Sequence, residues 1–324
     1  MLVTRLTRSF GIDHPVIQAG MGAEAGPELA AAVSTAGGLG TIGTIATPPD
    51  EVKMAIRRCR DLTDLPFAVN VVTFMGAPFR DHIIEAVLRE KPAAVTLSFG
   101  DPVPTLRLFK GLGIKTLVQV QDFATATAVL AAGPDALIVQ GHEAGGHTGR
   151  RGTLSFLAQT LAIAGDTPVV AAGGIGDGRG LAAVLAMGAA GVLMGPRFKA
   201  SVEYGCADIY KGVIAASDGD NTLAAPLLDA PFPWEWPANV VGRAVRNAFT
   251  AEWEGRDGEL KAAVEALPPF GFLQRLWEDP EQNLNWAGES AGLVGSILPA
   301  AEIVRSVVAE AEEMLRRVAS VLAD

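Results

Sequence analysis

The sequence predicts a closed (β/α)8 TIM barrel with a mainly helical C-terminal extension packed at the barrel mouth. Three observations lead there. Short apolar runs alternate with helix-like segments across about the first 200 of the 324 residues. Those runs are continuously apolar rather than alternating, which is how strands buried on both faces of a parallel sheet read. Polar and glycine-rich clusters fall just past the ends of the runs, where barrel enzymes place their chemistry. A doubly wound open sheet is the structural competitor.

The elements follow in order. Residues 15–18 form the first strand, and a Gly20-Met21-Gly22 loop follows. Pro27 opens the first helix, where its missing N–H costs nothing, and Gly37-Gly38 end it. Residues 39–42 are the second strand, and Pro48-Pro49 start a helix reaching about Arg60. Further strands are expected at 67–71, 94–98 and 116–120, each followed by a helix, at 79–90, 104–112 and 123–132. The sixth strand, 136–139, ends in Gln140-Gly-His-Glu-Ala-Gly-Gly-His147, read as a flexible loop. A helix at 154–164, a strand at 168–171, a helix at 178–187 and a strand at 191–194 complete eight repeats.

After Phe198 the alternation stops. Residues 217–237, rich in Asp, Pro and Gly and carrying Trp234 and Trp236, read as a long loop or lid. Helices are expected at 240–254, 260–267 and 299–322, with a turn at 268–272 and a glycine-bearing loop at 285–294. The organisation expected is a barrel made of 1–200 and 288–324, the last helix closing it. Residues 201–287 would be an inserted helical and loop subdomain that covers the substrate.

Composition bounds the function. Hydrophobic residues make up 49%, aromatics only 6%, and 37 glycines suit many strand-to-helix turns. A net charge of −10 argues against nucleic acid, whose phosphates need clustered Lys and Arg. Cys59 and Cys206 are far apart and lack metal-type spacing, which fits a reduced, cytoplasmic setting. The N-terminus lacks the apolar run of a signal peptide. The longest apolar run, 181–195, is shorter than the ~20 residues that span a bilayer, so no membrane association is expected.

The motifs separate on context. Gly38-Leu-Gly-Thr-Ile-Gly43 matches G-x-G-x-x-G, but the strand lies inside it instead of before it, which argues against a dinucleotide site. His142 and His147 are five apart, not the four that share a helix face, and two glycines intervene; no metal is expected. Residues 171–178 follow strand seven, and Gly195 with Arg197 follows strand eight, the usual place for a phosphate in a barrel. Asn70, Gln119 and Gln140 end buried strands and could bond the edge of a heterocycle. His147 can carry a proton near neutral pH. His14 and His82 lie outside this set and read as surface residues.

Taken together the motifs resemble a known family. Gln18-Ala-Gly-Met-Gly22, Ala36-Gly-Gly-Leu-Gly40, Ala68-Val-Asn-Val71, the 140–147 segment, Ala172-Gly-Gly-Ile-Gly176 and Met194-Gly-Pro-Arg-Phe198 look like nitronate monooxygenase, formerly 2-nitropropane dioxygenase. The resemblance covers about 11–201 and resumes over 288–310. It implies a barrel with non-covalent FMN that oxidises alkyl nitronates by O₂ to a carbonyl compound and nitrite. By position it implies Gly20, Met21 and Gly22 facing the isoalloxazine, with Asn70, Gln119 and Gln140 on the ring or ribityl chain. Gly145 and Gly146 would lie against the flavin. Gly173, Gly174, Met194 and Gly195 would hold the phosphate, and His147 would be the catalytic base or anion stabiliser. Pro196 stands where the family often has Thr or Ser, which withdraws one or two candidate phosphate hydrogen bonds. The related FMN-dependent enoyl-acyl-carrier-protein and NAD(P)H:quinone reductases keep the same histidine loop, so an NAD(P)H-linked reductase is the alternative. A homodimer is compatible with either.

Overall fold

The computed structural model describes residues 2–45, 47–76 and 79–321. Eight parallel strands form one sheet. They are β1 (Val16–Gln18), β2 (Gly40–Ile42), β3 (Phe67–Val72), β4 (Ala94–Ser98), β5 (Lys115–Val120), β6 (Ala136–Gln140), β8 (Val169–Ala172) and β9 (Gly191–Met194). Strand β7 (Gly146–Thr148) belongs elsewhere. The order β1-β9-β8-β6-β5-β4-β3-β2 leaves β1 and β2 at the edges, and these meet. Ile17 bridges Leu39 in parallel, Gln18 N donates to Leu39 O at 3.0 Å, and Leu39 N donates to Val16 O at 2.9 Å. A side chain completes the seam. The amide of Gln18, fully buried, acts as an extra peptide unit: Thr41 N donates to Oε1 at 2.8 Å and Nε2 donates to Thr41 O at 3.1 Å. The sheet is a closed barrel.

Period-two alternation sorts the strand residues into two layers. Ile17, Leu39, Ala68, Ala94, Leu117, Ala136, Ile138 and Val170 form one apolar cluster, the barrel interior. Val69, Val71, Val95, Val118, Val139 and Val192 belong to another, shared with the surrounding helices. The interior cluster also takes in Leu6, Phe10 and Ile12. Leu6 and Phe10 come from α1 (Arg5–Phe10), an element the sequence reading passes over; Thr4 caps it with a reciprocal Thr7 bond and Gly11 ends it at φ +67°. This short helix plugs the barrel floor.

The outer helices are α2 (Pro27–Thr35), α3 (Pro49–Leu62), α4 (Phe79–Glu90), α5 (Val103–Gly111), α6 (Phe123–Ala132), α7 (Thr153–Leu161) and α8 (Gly178–Ala186). After β9 come α9 (Pro196–Lys199) and α10 (Asp208–Ala215). The closing helix α14 (Ala300–Val321) packs on α8 and α2 through Ile303, Val304, Val307 and Ala311.

A second, antiparallel sheet lies outside the barrel, in the order β10 (Thr222–Ala224), β11 (Val241–Val245), β7. It corrects two expectations. The loop expected to carry His147 freely is a strand, with His147 opposite Gly242. The helix expected over 240–254 is β11 followed by α11 (Ala248–Trp253), the latter capped by Asn247 with Thr250. The apolar spacing of this segment suits a helix, but pairing with a strand about 95 residues earlier overrides it. With α12 (Asp257–Glu265) and α13 (Gly271–Glu278) the region builds its own apolar core from Leu228, Ala244, Phe249, Leu260, Leu273 and Leu276. The 217–237 loop contains β10 and a 3-10 turn, Pro226–Leu228. No described helix is long and apolar enough to cross a membrane.

Candidate active site

The strand parity that separates the two layers also turns Asn70, Gln119 and Gln140 inward at the C-terminal ends of β3, β5 and β6. All three are buried. Asn70 Nδ2 donates to Thr96 O and Ser98 Oγ, both at 3.1 Å. Gln140 Oε1 accepts from Gln119 Nε2 at 3.1 Å and from Gln121 Nε2 at 2.9 Å. Gln121 continues the parity of Gln119 two residues on, a signal present in the sequence but not used. With Oε1 doubly occupied, the Gln140 amide nitrogen finds no acceptor among the described residues, and it is free to bond a ligand at the mouth.

The glycines divide into those the chain packs against itself and those it leaves open. At Gly20 a Cβ would sit 2.7 Å from Asn70 Cβ, so Gly20 makes room for the asparagine. Gly22 (φ +67°) lets the loop turn, and Tyr204 Oη holds the same loop by donating to Met21 O at 3.1 Å. Gly145 is covered by the chain, since a Cβ there would lie 2.2 Å from the Ala287 carbonyl carbon. The 287–288 backbone thus fills the side of Gly145 where a side chain would stand. Gly146, at φ +70°, has nothing within 4 Å of its missing Cβ. Gly173 (φ +101°) and Gly174 (φ +71°) turn tightly against Gly141 O and Glu143 Cβ. At Gly195 the nearest atom is Met21 Sδ, 3.5 Å from a built Cβ, and Met194 is buried just before it.

Two phosphate expectations change. Two of the N–H groups opening α8 are engaged: Gly178 N donates to Glu310 Oε2 at 2.7 Å and Gly180 N to the cap Asp177 Oδ1 at 3.0 Å. The Gly173-Gly174 turn and the end of β9 lie apart from these bonds. Arg197 points away: it is buried, with Nη1 donating to Val294 O at 2.6 Å and Nη2 to Ser296 O at 2.5 Å. It clamps the chain before α14. Pro196 stands at the first position of α9, where its absent N–H is harmless. Lys199, also buried, donates to Trp286 O at 3.1 Å. Burial pushes its pKa down to about 8, against a smaller upward pull from Cys206 and Glu24.

His147 is buried and enclosed on several sides. Its Nε2 lies 2.5 Å from Asp229 Oδ1. The Trp236 ring stacks on it, centroids 3.3 Å apart and planes 11° apart. Trp286 lies at 5.1 Å, and Phe99 stands edge-on at 6.2 Å. Phe74 and Phe99 in turn pack on Trp236 at 4.4 and 5.0 Å. Phe99 is held at φ +63°, a costly conformation for a bulky residue. It directly follows Ser98, which receives the Asn70 bond, so the histidine box and the buried amides share one mouth. Trp236 Nε1 is buried with no acceptor among the described residues. Asp229 could not be found from sequence, because 82 residues separate it from His147.

The second histidine has another task. His142 Nδ1 faces Gly149 O at 2.9 Å, and Nε2 faces Arg243 Nη2 at 3.0 Å. Arg243 also pairs with Glu289 at 3.3 Å. The two histidines thus point at different partners.

A family model described as nitronate monooxygenase matches residues 3–310. The nitronate monooxygenase of Pseudomonas aeruginosa is 32% identical, covering 95% of this chain and 99% of that one. FabK from Thermotoga maritima superposes with a TM-score of 0.88 at 34% identity, covering 99% of both chains. A nitroalkane oxidase from Streptomyces ansochromogenes gives 0.80 at 29% identity over 97% of this chain and 99% of that one. A (3aS,4S,5R,7aS)-5-hydroxy-7a-methyl-1-oxo-octahydro-1H-indene-4-carboxyl-CoA dehydrogenase from Rhodococcus jostii is 40% identical over 228 residues. That match takes in 70% of this chain but only 64% of the dehydrogenase. The family match embraces the barrel, the second sheet and part of the closing helix alike, and the chain therefore belongs to the nitronate monooxygenase family of flavin-dependent oxidoreductases.

Proposed function

We propose that the protein oxidises alkyl nitronates with O₂ to a carbonyl compound and nitrite, using bound FMN. The observation that carries this reading is His147, buried at the same mouth as the inward amides of Asn70, Gln119 and Gln140. The residues present fit FMN. The Gln140 amide nitrogen lacks a protein acceptor, Gly146 leaves a flat ligand room, and the Gly173-Gly174 turn with Gly195 offers backbone to a phosphate. When bound, FMN supplies the redox chemistry and the chain supplies orientation and charge.

Asn70, Gln119 and Gln140 would hold the flavin edge, with the Gly20-Met21-Gly22 loop beside it, and the backbone at Met194 and Gly195 would lie at the phosphate. His147 takes the proton of a neutral nitroalkane or stabilises the anionic nitronate. Trp236 Nε1, a buried donor with no acceptor among the described residues, would donate to a nitro oxygen. Residues 201–287 would cover the substrate and exclude water through Trp236, packed on Phe74 and Phe99 from the barrel loops. In the test, nitrite is measured from a nitroalkane in air. The His147→Ala variant should keep its yellow FMN and lose about 10²–10⁴-fold of nitroalkane turnover. Unchanged turnover removes His147 from its role.

The likeness to FabK favours one second reading, an NAD(P)H-linked reductase on the same barrel. Anaerobic mixing with NADPH separates the two: rapid loss of flavin colour marks the reductase.

A further inference from the structure

We infer that Asp229 is the positioning residue of the His147 base, and that the basic atom it leaves for substrate is Nδ1. This rests on the function proposed above. The contact at 2.5 Å joins His147 Nε2 to a carboxylate oxygen. An ionised carboxylate only accepts, so Nε2 carries the hydrogen, and a neutral imidazole then has its lone pair on Nδ1. Nδ1 has no hydrogen-bond partner among the described residues, so it is the nitrogen open to a ligand.

Both partners are fixed by elements of their own. His147 sits on the β7–β11 ladder opposite Gly242. Asp229 ends the 3-10 turn Pro226–Leu228, its N–H donating to Pro226 O at 3.0 Å, and Leu227 and Leu228 are buried in the second core. Trp236, stacked within 11° of the imidazole plane, resists the ring flip that would exchange the two nitrogens. The base is therefore built from two parts of the chain, the β7 segment and the strap that runs from Asp229 to Trp236. In the step it serves, the Cα–H bond of the nitroalkane breaks. The electron pair stays on the carbon–nitro unit as the nitronate, and the proton goes to Nδ1.

The FMN-loaded protein with ¹⁵N-labelled histidine tests this. The chain has only four histidines, so His147→Gln assigns the relevant signals by their loss. The expected wild-type pattern is a protonated Nε2 and a bare Nδ1. Asp229→Asn should move the proton toward Nδ1 and lower kcat on a neutral nitroalkane by about 10²–10⁴-fold, as the same exchange beside a serine-protease histidine does through the wrong tautomer. Turnover of a preformed nitronate, which has no proton to lose, should change far less. Asp229→Glu should restore both the nitrogen pattern and part of the nitroalkane turnover. The inference falls if Asp229→Asn leaves the pattern and the nitroalkane rate unchanged. It also falls if both substrates lose rate equally with the pattern intact, which would mean a purely structural contact. If the wild type turns over no nitro compound, the nitronate reading fails, and the nitrogen pattern in Asp229→Asn still decides the positioning.

Discussion

Two neighbouring glycines carry opposite constraints. Gly145 has Ala287–Gly288 backbone on top of it, and Gly146 has open space. Gly145→Ala should destabilise the fold by about 1–3 kcal/mol or more, since backbone must move to admit the methyl. Gly146→Ala should cost about 1–2 kcal/mol for its left-handed backbone and in addition weaken FMN retention. Denaturation curves of apo and FMN-loaded variants separate the two effects, and equal FMN loss in both variants would refute the assignment. Arg197 makes a related point. Its position after β9 reads as a phosphate ligand, yet its donors serve Val294 and Ser296 carbonyls. Arg197→Met should destabilise by about 1–3 kcal/mol per orphaned carbonyl while FMN affinity, corrected for unfolding, stays near wild type. The sequence named the right position without its direction, because side-chain direction depended on a segment about 97 residues away.

At the scale of elements, legibility followed locality. The eight barrel strands were readable because each is a continuous apolar run bounded by its own glycine or proline. Gln119 and Gln140 were readable as strand ends, and parity would have added Gln121. Strand β11 was not readable: its rungs come from β10 and β7, each a three-residue strand too short to show a period. Asp229 was invisible for the same reason. The short helix α9 carries a pH prediction. Lys199 binds its proton less tightly when folded, with a pKa near 8 against 10.5. Between these values the unfolded chain holds the proton and the folded chain releases it, so stability rises with pH across that window. Below pH 8 the penalty is complete, about 3 kcal/mol at 1.36 kcal/mol per unit. The stability difference between wild type and Lys199→Met should therefore change by up to about that amount from pH 8 to 10. Parallel pH curves would contradict it.

The whole molecule sets a closed barrel under a second, smaller core. The barrel places the amides and glycine turns at one end, and the second core delivers Asp229 and Trp236 onto His147. The barrel, the family and the strand-end positions were legible in the sequence. The completed histidine box was not, because it exists only where the second sheet docks. The most direct test of the account is anaerobic absorbance of the FMN-loaded protein after mixing with an alkyl nitronate or with NADPH. Loss of flavin colour with the nitronate, recovery with nitrite release when air is admitted, and no rapid change with NADPH are expected. Rapid bleaching by NADPH with no response to the nitronate would contradict it.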